Sequence, residues 1–410
     1  MSALSPAAPG AGGTMSPALV VLLLSLMLGL QPLTTDLYLP ALPGLTAGFG
    51  ASAGQAQLTL TSLLLAFGIS QLVWGPLADR FGRRPVLLAG MATYTAASVA
   101  CALAPSMDAL VAWRTVQGAA MGAAVMGARA IVRDLYAPQL GARAMSQALT
   151  GLGVIACISA PLGGWVTDHL GWRWALAVLA ACGAALMVLV ALRFTETLPP
   201  QRRAPLHPGT LARTWWTILR HPGFVAGSAL SVSSYAGLFT FLATSPFVFI
   251  GVLGLSGTQY GLAMFSVSFV YIGGTFACRR LLPRLGVRRA VAWAGALTLL
   301  AGTLLGGLAL AGVRSPWALL LPFWLFMLAH GVHQPCGQTG AVAPFPKAAG
   351  AASALNGFLM MVVAFATGGW IALQPAGTVF PLALGVWFWS ACIALVAWTL
   401  VRRHGELRGA

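Results

Sequence analysis

The chain holds only seven acidic residues in 410, so each can be placed individually. Asp79, Asp134, Glu196 and Glu406 lie in basic, polar stretches. Asp108 and Asp168 lie at or near the opposite ends of apolar runs. Asp36 alone sits within an apolar run, in TTDLYLP. An ionisable group inside apolar sequence is costly to bury and is by default a functional candidate. Burial disfavours a charged carboxylate and a nearby cation favours it, so an acid whose surroundings change can take up and release a proton. Pro32 and Pro40 flank Asp36, and the alternative is that it caps a broken helix.

Arg114, in AWRTVQGAAMGAA, is the candidate partner of Asp36, and Gln117 follows one helical turn later on the same face. The alternative for Arg114 is a side chain that snorkels to an interface. His330 and His333 in LAHGVHQPCGQTG lie about one turn apart. They could line a cavity, titrate with a proton, or be buried and hydrogen-bonded. No third ligand is in reach, so no metal site is expected. Tyr38, Tyr235, Phe239, Phe241 and Gln334 are further candidates for an apolar pocket with a few polar groups. No catalytic constellation and no cofactor-binding motif is present.

These residues must be positioned by helices in lipid. The sequence is 58% hydrophobic and 7% charged, against about 25% charged in a soluble domain. Apolar runs fall near 17–43, 57–77, 86–104, 109–132, 144–168, 172–194, 223–250, 259–279, 290–313, 317–343, 350–373 and 379–401. Each can cross about 30 Å of hydrocarbon. With the N-terminus inside, 19 of the 23 basic residues fall in inner loops and tail, two in outer loops, and Arg114 and Arg129 within runs. The positive-inside rule therefore puts both termini in the cytoplasm. A net charge of +16 spread over short loops does not indicate nucleic acid. The six cysteines all lie in apolar runs and read as packing residues.

The organisation expected is all-α, with twelve membrane helices in two six-helix halves. Residues 1–16 read as a disordered tail, with Met1 or Met15 as the start. A first bundle covers 17–194, a cytoplasmic linker 195–222, a second bundle 223–401 and a tail 402–410. LADRFGRRP (77–85) and LLPRLGVRR (281–289) share a Leu-x-x-Arg-x-Gly-x-Arg frame at an offset of 204 residues. That pattern points to duplication and to a site between parallel repeats. In GPLADRFGRRP, Gly82 permits a tight reversal, and Asp79 can accept helix-start amides or pair with a basic residue. Arg80, Arg83 and Arg84 hold the turn at the inner surface, so Gly75–Pro85 reads as a conformational latch. In the fifth run, Gly153, Gly163 and Gly164 permit close helix approach and Pro161 bends the helix. Generic small-residue packing is the alternative.

GPLADRFGRRP resembles the loop 2–3 signature of the major facilitator superfamily. TTDLYLPALP, WRTVQGAAMGA, ARAIVRDLY, APLGGW, SPFVFI and APFPKAAGAASALNG resemble its Bcr/CflA branch of drug:proton antiporters, over about residues 20–400. The resemblance implies a bacterial inner-membrane protein with alternating access and efflux driven by proton entry. It makes Asp36 the first-helix acid, Arg114 the fourth-helix base and Gly75–Pro85 the cytoplasmic gate. The branch's fifth-helix signature has Gly-Pro where this chain has Ala160-Pro161. The implied partners are a small amphiphilic substrate, protons and the bilayer, with the protein a monomer. A nucleoside or amino-acid transporter would use the same fold and acid. A membrane-embedded enzyme would need more acid/base equipment than one carboxylate.

Overall fold

A computed structural model describes residues 15–203, 208–375 and 377–405, apart from the side chains of Pro138, Gln139, Ala142, Arg202, Pro208 and Lys347. The tail 1–14, part of the linker and residues 406–410, with Glu406 and Arg408, lie outside the described residues. All regular structure among the described residues is helical.

The membrane-crossing helices are α1 (Pro17–Asp36), α2 (Ala53–Phe81), α3 (Arg83–Ala102), α4 (Met107–Leu135), α5 (Pro138–Leu170) and α6 (Trp172–Arg193). The second half has α7 (Pro222–Pro246), α10 (Pro316–Val342), α11 (Ala349–Ala372) and α12 (Phe380–Val396). Between α7 and α10, Gly257–Leu310 runs as one 54-residue stretch broken at Gly286. At about 1.5 Å per residue such a length is far more than one bilayer needs. It is therefore two crossings, α8 (257–285) and α9 (287–310). Eleven apolar helical stretches by length thus become twelve crossings.

The duplication is written in backbone geometry. Ser52 and Gln55 form a reciprocal capping box at the start of α2, and Ser256 and Gln259 form the same box at the start of α8. The two boxes lie 204 residues apart, the offset of the two basic turns. Those turns also match in conformation, with φ/ψ of 100°/159° at Gly82 and 71°/168° at Gly286. Positive φ is cheap only for glycine, which explains why both turns carry one. The second turn has Pro283 where the first has Asp79, so only the first has a carboxylate there.

Two features depart from the simple reading. The first run is not one helix. It ends at Asp36, passes through a 3-10 turn at Leu39–Ala41 and restarts as a short helix, Leu42–Phe49. Pro40 and Pro43 lack N–H groups to continue the first ladder. The linker also carries its own helix, Pro208–Leu219. Its Ile218 and Trp215 pack with Phe224, Ala341, Ala352 and Leu355 of the C-terminal half, leaving Trp216 and Leu219 exposed.

The halves meet along two helix pairs. α2 lies against α11, with Gly54 at Ala372, Gly68 at Met361 and Gly357 at Gln71. The C-terminal part of α5 lies against the start of α8, where a Cβ on Gly261 would stand 2.6 Å from the Ala160 carbonyl. Gly163 faces the Leu37 backbone and Gly164 faces the Gly257 backbone. Those two glycines serve different partners, one in α1's extension and one across the halves. Gly153, expected in the same role, has nothing within 4 Å and takes no part in the crossing.

Candidate functional site

Asp36 is the last residue of α1 and is partly buried. Thr35 Oγ1 donates to its Oδ1 at 2.8 Å. The amides beyond the break are satisfied elsewhere: Leu37 N donates to the Leu33 carbonyl and Tyr38 N to that of Thr35. The carboxylate is therefore not used as a cap. Tyr235 and Tyr260 of the C-terminal half, and Cys157 of α5, lie within its electrostatic reach. Asp36 thus stands between the halves and forms no ion pair among the described residues.

Arg114 is fully buried inside the N-terminal half, which removes the snorkelling alternative. Its Nη1 donates to Gln117 Oε1 at 2.7 Å, its Nε to the Thr59 carbonyl and its Nη2 to the Thr34 carbonyl, both at 3.4 Å. The guanidinium also lies 4.0 Å from the Tyr38 ring centroid. The expected pair with Asp36 is absent from this conformation. The connection is indirect, through helix geometry. Tyr38 N, which a continuing α-helix would aim at the Thr34 carbonyl, turns instead to Thr35. The break in α1 leaves the Thr34 carbonyl to Arg114, two residues from the acid.

The network behind Arg114 is closed. Gln117 Nε2 donates to Ser98 Oγ at 2.6 Å, while Thr34 Oγ1 meets the Tyr94 hydroxyl and Tyr38 OH meets Thr59 Oγ1, each at 2.6 Å. Tyr38 and Gln117, expected at a cavity wall, are instead interior residues supporting Arg114.

Other expected cavity residues divide similarly. Tyr235 is partly exposed and near Asp36. Phe241 stacks on Phe323 at 3.5 Å between centroids and belongs to the core of the C-terminal half, where Phe239 is also buried. His330 is buried, with Nδ1 2.7 Å from Ser234 Oγ and its ring near Phe326 and Tyr271. His333 is fully buried on the side of Val291 in α9. Gln334 accepts from Gln338 Nε2. The two histidines therefore serve different helix contacts. No cluster of three His, Cys, Asp or Glu with metal-site geometry occurs among the described residues.

On the side of the bundle that carries both described chain ends, α2 ends at Phe81, Gly82 turns and α3 begins at once. Arg83 is almost wholly buried and bridges Asp79 at 2.7 Å and Asp134 at 2.8 Å; Arg133 reaches Asp79 at 3.3 Å. Of the two roles open to Asp79, ion pairing is the one realised. The helix-start amides go to Glu196, whose Oε1 accepts from Arg83 N and Oε2 from Arg84 N. Arg84 Nη2 donates to the Ala191 carbonyl, and Arg80 is exposed over Phe81. Gly75 lies inside α2, beside Met126. Between the halves, Arg129 Nη1 donates to Ser353 Oγ at 2.8 Å.

Tyr260, Glu196 and Arg129 were not singled out by sequence reasoning. The Ser256–Gln259 capping box was the available signal for Tyr260, since it fixes that residue in the first turn of α8.

This fold, with the unpaired Asp36 carboxylate at the break of its first helix, defines a membrane transporter. Residues 24–369 match the Major Facilitator Superfamily, and the chain belongs to that family. It is 30% identical over 348 residues to "Multidrug resistance protein D" of Escherichia coli, covering 84% of this chain and 86% of that protein. It is 26% identical to the "Bicyclomycin resistance protein homolog" of Haemophilus influenzae, over 96% and 99% of the two chains. The inward-open structure of the xylose transporter XylE from E. coli superposes with a TM-score of 0.75 at 15% identity, covering 96% and 97%. That likeness concerns the fold alone.

Proposed function

We propose that the chain exports small amphiphilic compounds across the bacterial inner membrane in exchange for protons, by alternating access, with both termini cytoplasmic. The observation that carries the coupling is Asp36: a carboxylate between the halves, neither ion-paired nor used as a cap. Names borne by the relatives support the drug-efflux reading. In this scheme the outward-facing protein takes a proton at Asp36 and releases cargo; the inward-facing protein loses the proton and binds cargo. Tyr235, partly exposed, stands where it would meet either, and Tyr260 is buried behind it with its hydroxyl on Ser245. Arg114 fixes the end of α1 that presents the acid. The Arg129–Ser353 bond joins the halves on the inner side beside the Arg83 cluster that braces the N-terminal half, the Gly164 surface lets the outer side close, and the bundles 17–194 and 223–401 rock about the site as a monomer.

The energetics suffice. A potential of 100 mV contributes about 2.3 kcal/mol per charge and each pH unit about 1.4 kcal/mol. One proton then supports a gradient of at least roughly 100-fold for a neutral cargo.

The test is counterflow in proteoliposomes. Asp36→Asn should still bind substrate but lose pH-driven exchange, and wild-type flux in that variant would refute the scheme. A proton-coupled metabolite importer would share the acid. It would drive cargo in the direction of the imposed proton flow, where the exporter drives it against.

A further inference from the structure

Away from the coupling acid, two cysteines share one apolar cluster inside the C-terminal half. α8 and α10 both run from the outer to the inner side and cross at Gly274 and Gly331. A Cβ on Gly331 would lie 2.7 Å from the Gly274 Cα, so the two backbones touch there. Cys278 follows Gly274 by one turn on α8, and Cys336 shares one face of α10 with Ala329 and Val332, the face that packs on Cys278, Ala290 and Ala294. Cys336 thus packs against the apolar cluster that contains Cys278. Both are free. They differ in access. Cys278 is buried, whereas Cys336 is partly exposed and lines a cleft among the inner ends of α7, α9, α10 and α12, beside Val287, Pro344 and His404.

We propose that Cys278 and Cys336 are a redox-active thiol pair, a modification site that a peroxide converts to a disulfide joining α8 to α10. Cys336, reached from the cleft, attacks one peroxide oxygen. The O–O bond breaks, Cys336 becomes a sulfenic acid and water leaves with the thiol proton. The Cys278 sulfur then attacks the Cys336 sulfur, the S–O bond breaks, and the departing hydroxide takes the Cys278 proton as a second water. Two thiols are oxidised by two electrons, and one peroxide is reduced to two waters. The sequence follows the ordinary ladder for an accessible cysteine beside a resolving one.

The test uses the full-length protein in detergent, exposed to hydrogen peroxide, unfolded in SDS, alkylated with N-ethylmaleimide and mapped by peptide mass. Cys278 and Cys336 should lose alkylation together and appear in one linked peptide pair, restored by dithiothreitol. Cys101, Cys157, Cys182 and Cys392 should remain alkylated. In Cys278→Ser the oxidation should stop at a Cys336 sulfenic acid trapped by dimedone. In Cys336→Ser, Cys278 should stay a thiol at the same dose. Full alkylation of both cysteines after peroxide, links to other cysteines, or a Cys278→Ser protein whose Cys336 stays reduced would each overturn the proposal.

Discussion

Asp168, near the C-terminal end of α5, caps the start of α8 across the boundary between the halves, and Thr258 is its chief partner. Its Oδ2 accepts from Thr258 N and Thr258 Oγ1, both at 2.7 Å, and its Oδ1 accepts from Gly257 N at 2.9 Å. A carboxylate at a helix N-terminus satisfies orphan donors and meets the positive end of the dipole. Here the cap and the helix belong to different halves, so the bonds exist only while the outer ends are together.

Asp168→Ala should therefore loosen the outer seal without unfolding either half. Loss of an acidic cap costs about 0.5–2 kcal/mol, which predicts roughly 2- to 30-fold faster hydrogen exchange at Gly257 and Thr258. Exchange at the Ser52–Gln55 box, capped within its own half, should not change. Equal protection in variant and wild type would show that the cap does not hold the seal.

At the Gly82 turn the two partners of Arg83 are unequal. The Asp134 side chain is 10% exposed and that of Asp79 is 41% exposed. Removing the more buried partner of a buried cation leaves more uncompensated charge, with a ceiling of about 3–5 kcal/mol when no partner remains. Asp134→Asn should lower the thermal midpoint of the purified protein more than Asp79→Asn does. The reverse order would mean that the exposed pair carries the cluster.

Much of this was legible from residue types alone. The crossings, the repeat and the Gly82 turn follow from apolar run length and the need for positive φ. The pairing of Asp36 with Arg114 did not follow, for a reason of helix geometry. Residues two apart on an α-helix point some 200° apart. Thr34 therefore turns its hydroxyl to Tyr94 inside the N-terminal half, while the Asp36 carboxylate points away from that interior and bonds its neighbour Thr35. Depth in the membrane suggested partnership; azimuth decided against it. His330 and His333 show the same limit, since neighbouring positions on α10 face Ser234 of α7 and Val291 of α9. The linker helix was hidden because its Pro- and Arg-rich surroundings mask an apolar stripe, Trp215 and Ile218, that gains meaning only against the C-terminal half.

The glycines of α5 give a paired test. Gly164→Val would force a side chain into the Gly257 backbone, which cannot yield as a flexible side chain would. The outer ends of α5 and α8 should then be held apart, seen as a longer distance between spin labels placed there. Gly153→Ala enters open space and gains helix propensity of about 1 kcal/mol, so it should leave that distance unchanged and raise the thermal midpoint. Similar distances in both variants would remove Gly164 from the crossing.

Arg114 offers the sharpest separation of shape from charge. Its planar fork reaches Gln117 and the carbonyls of Thr34 and Thr59 at once, three acceptors on three different helices. A lysine keeps the charge but is a point donor and does not reproduce that fork. Arg114→Lys should leave at least one buried acceptor unmet, at about 1–3 kcal/mol, and free the end of α1 from the fourth helix. Because Thr34 is two residues from Asp36, the loss should appear in the coupled step before it appears in cargo affinity. The expected result is pH-driven counterflow reduced about tenfold, the rate equivalent of roughly 1.4 kcal/mol, with binding of the same compound nearly unchanged. Equal losses in binding and counterflow would place Arg114 in the cargo site itself, and no loss in either would mean that charge alone, without the grip on Thr34, is enough.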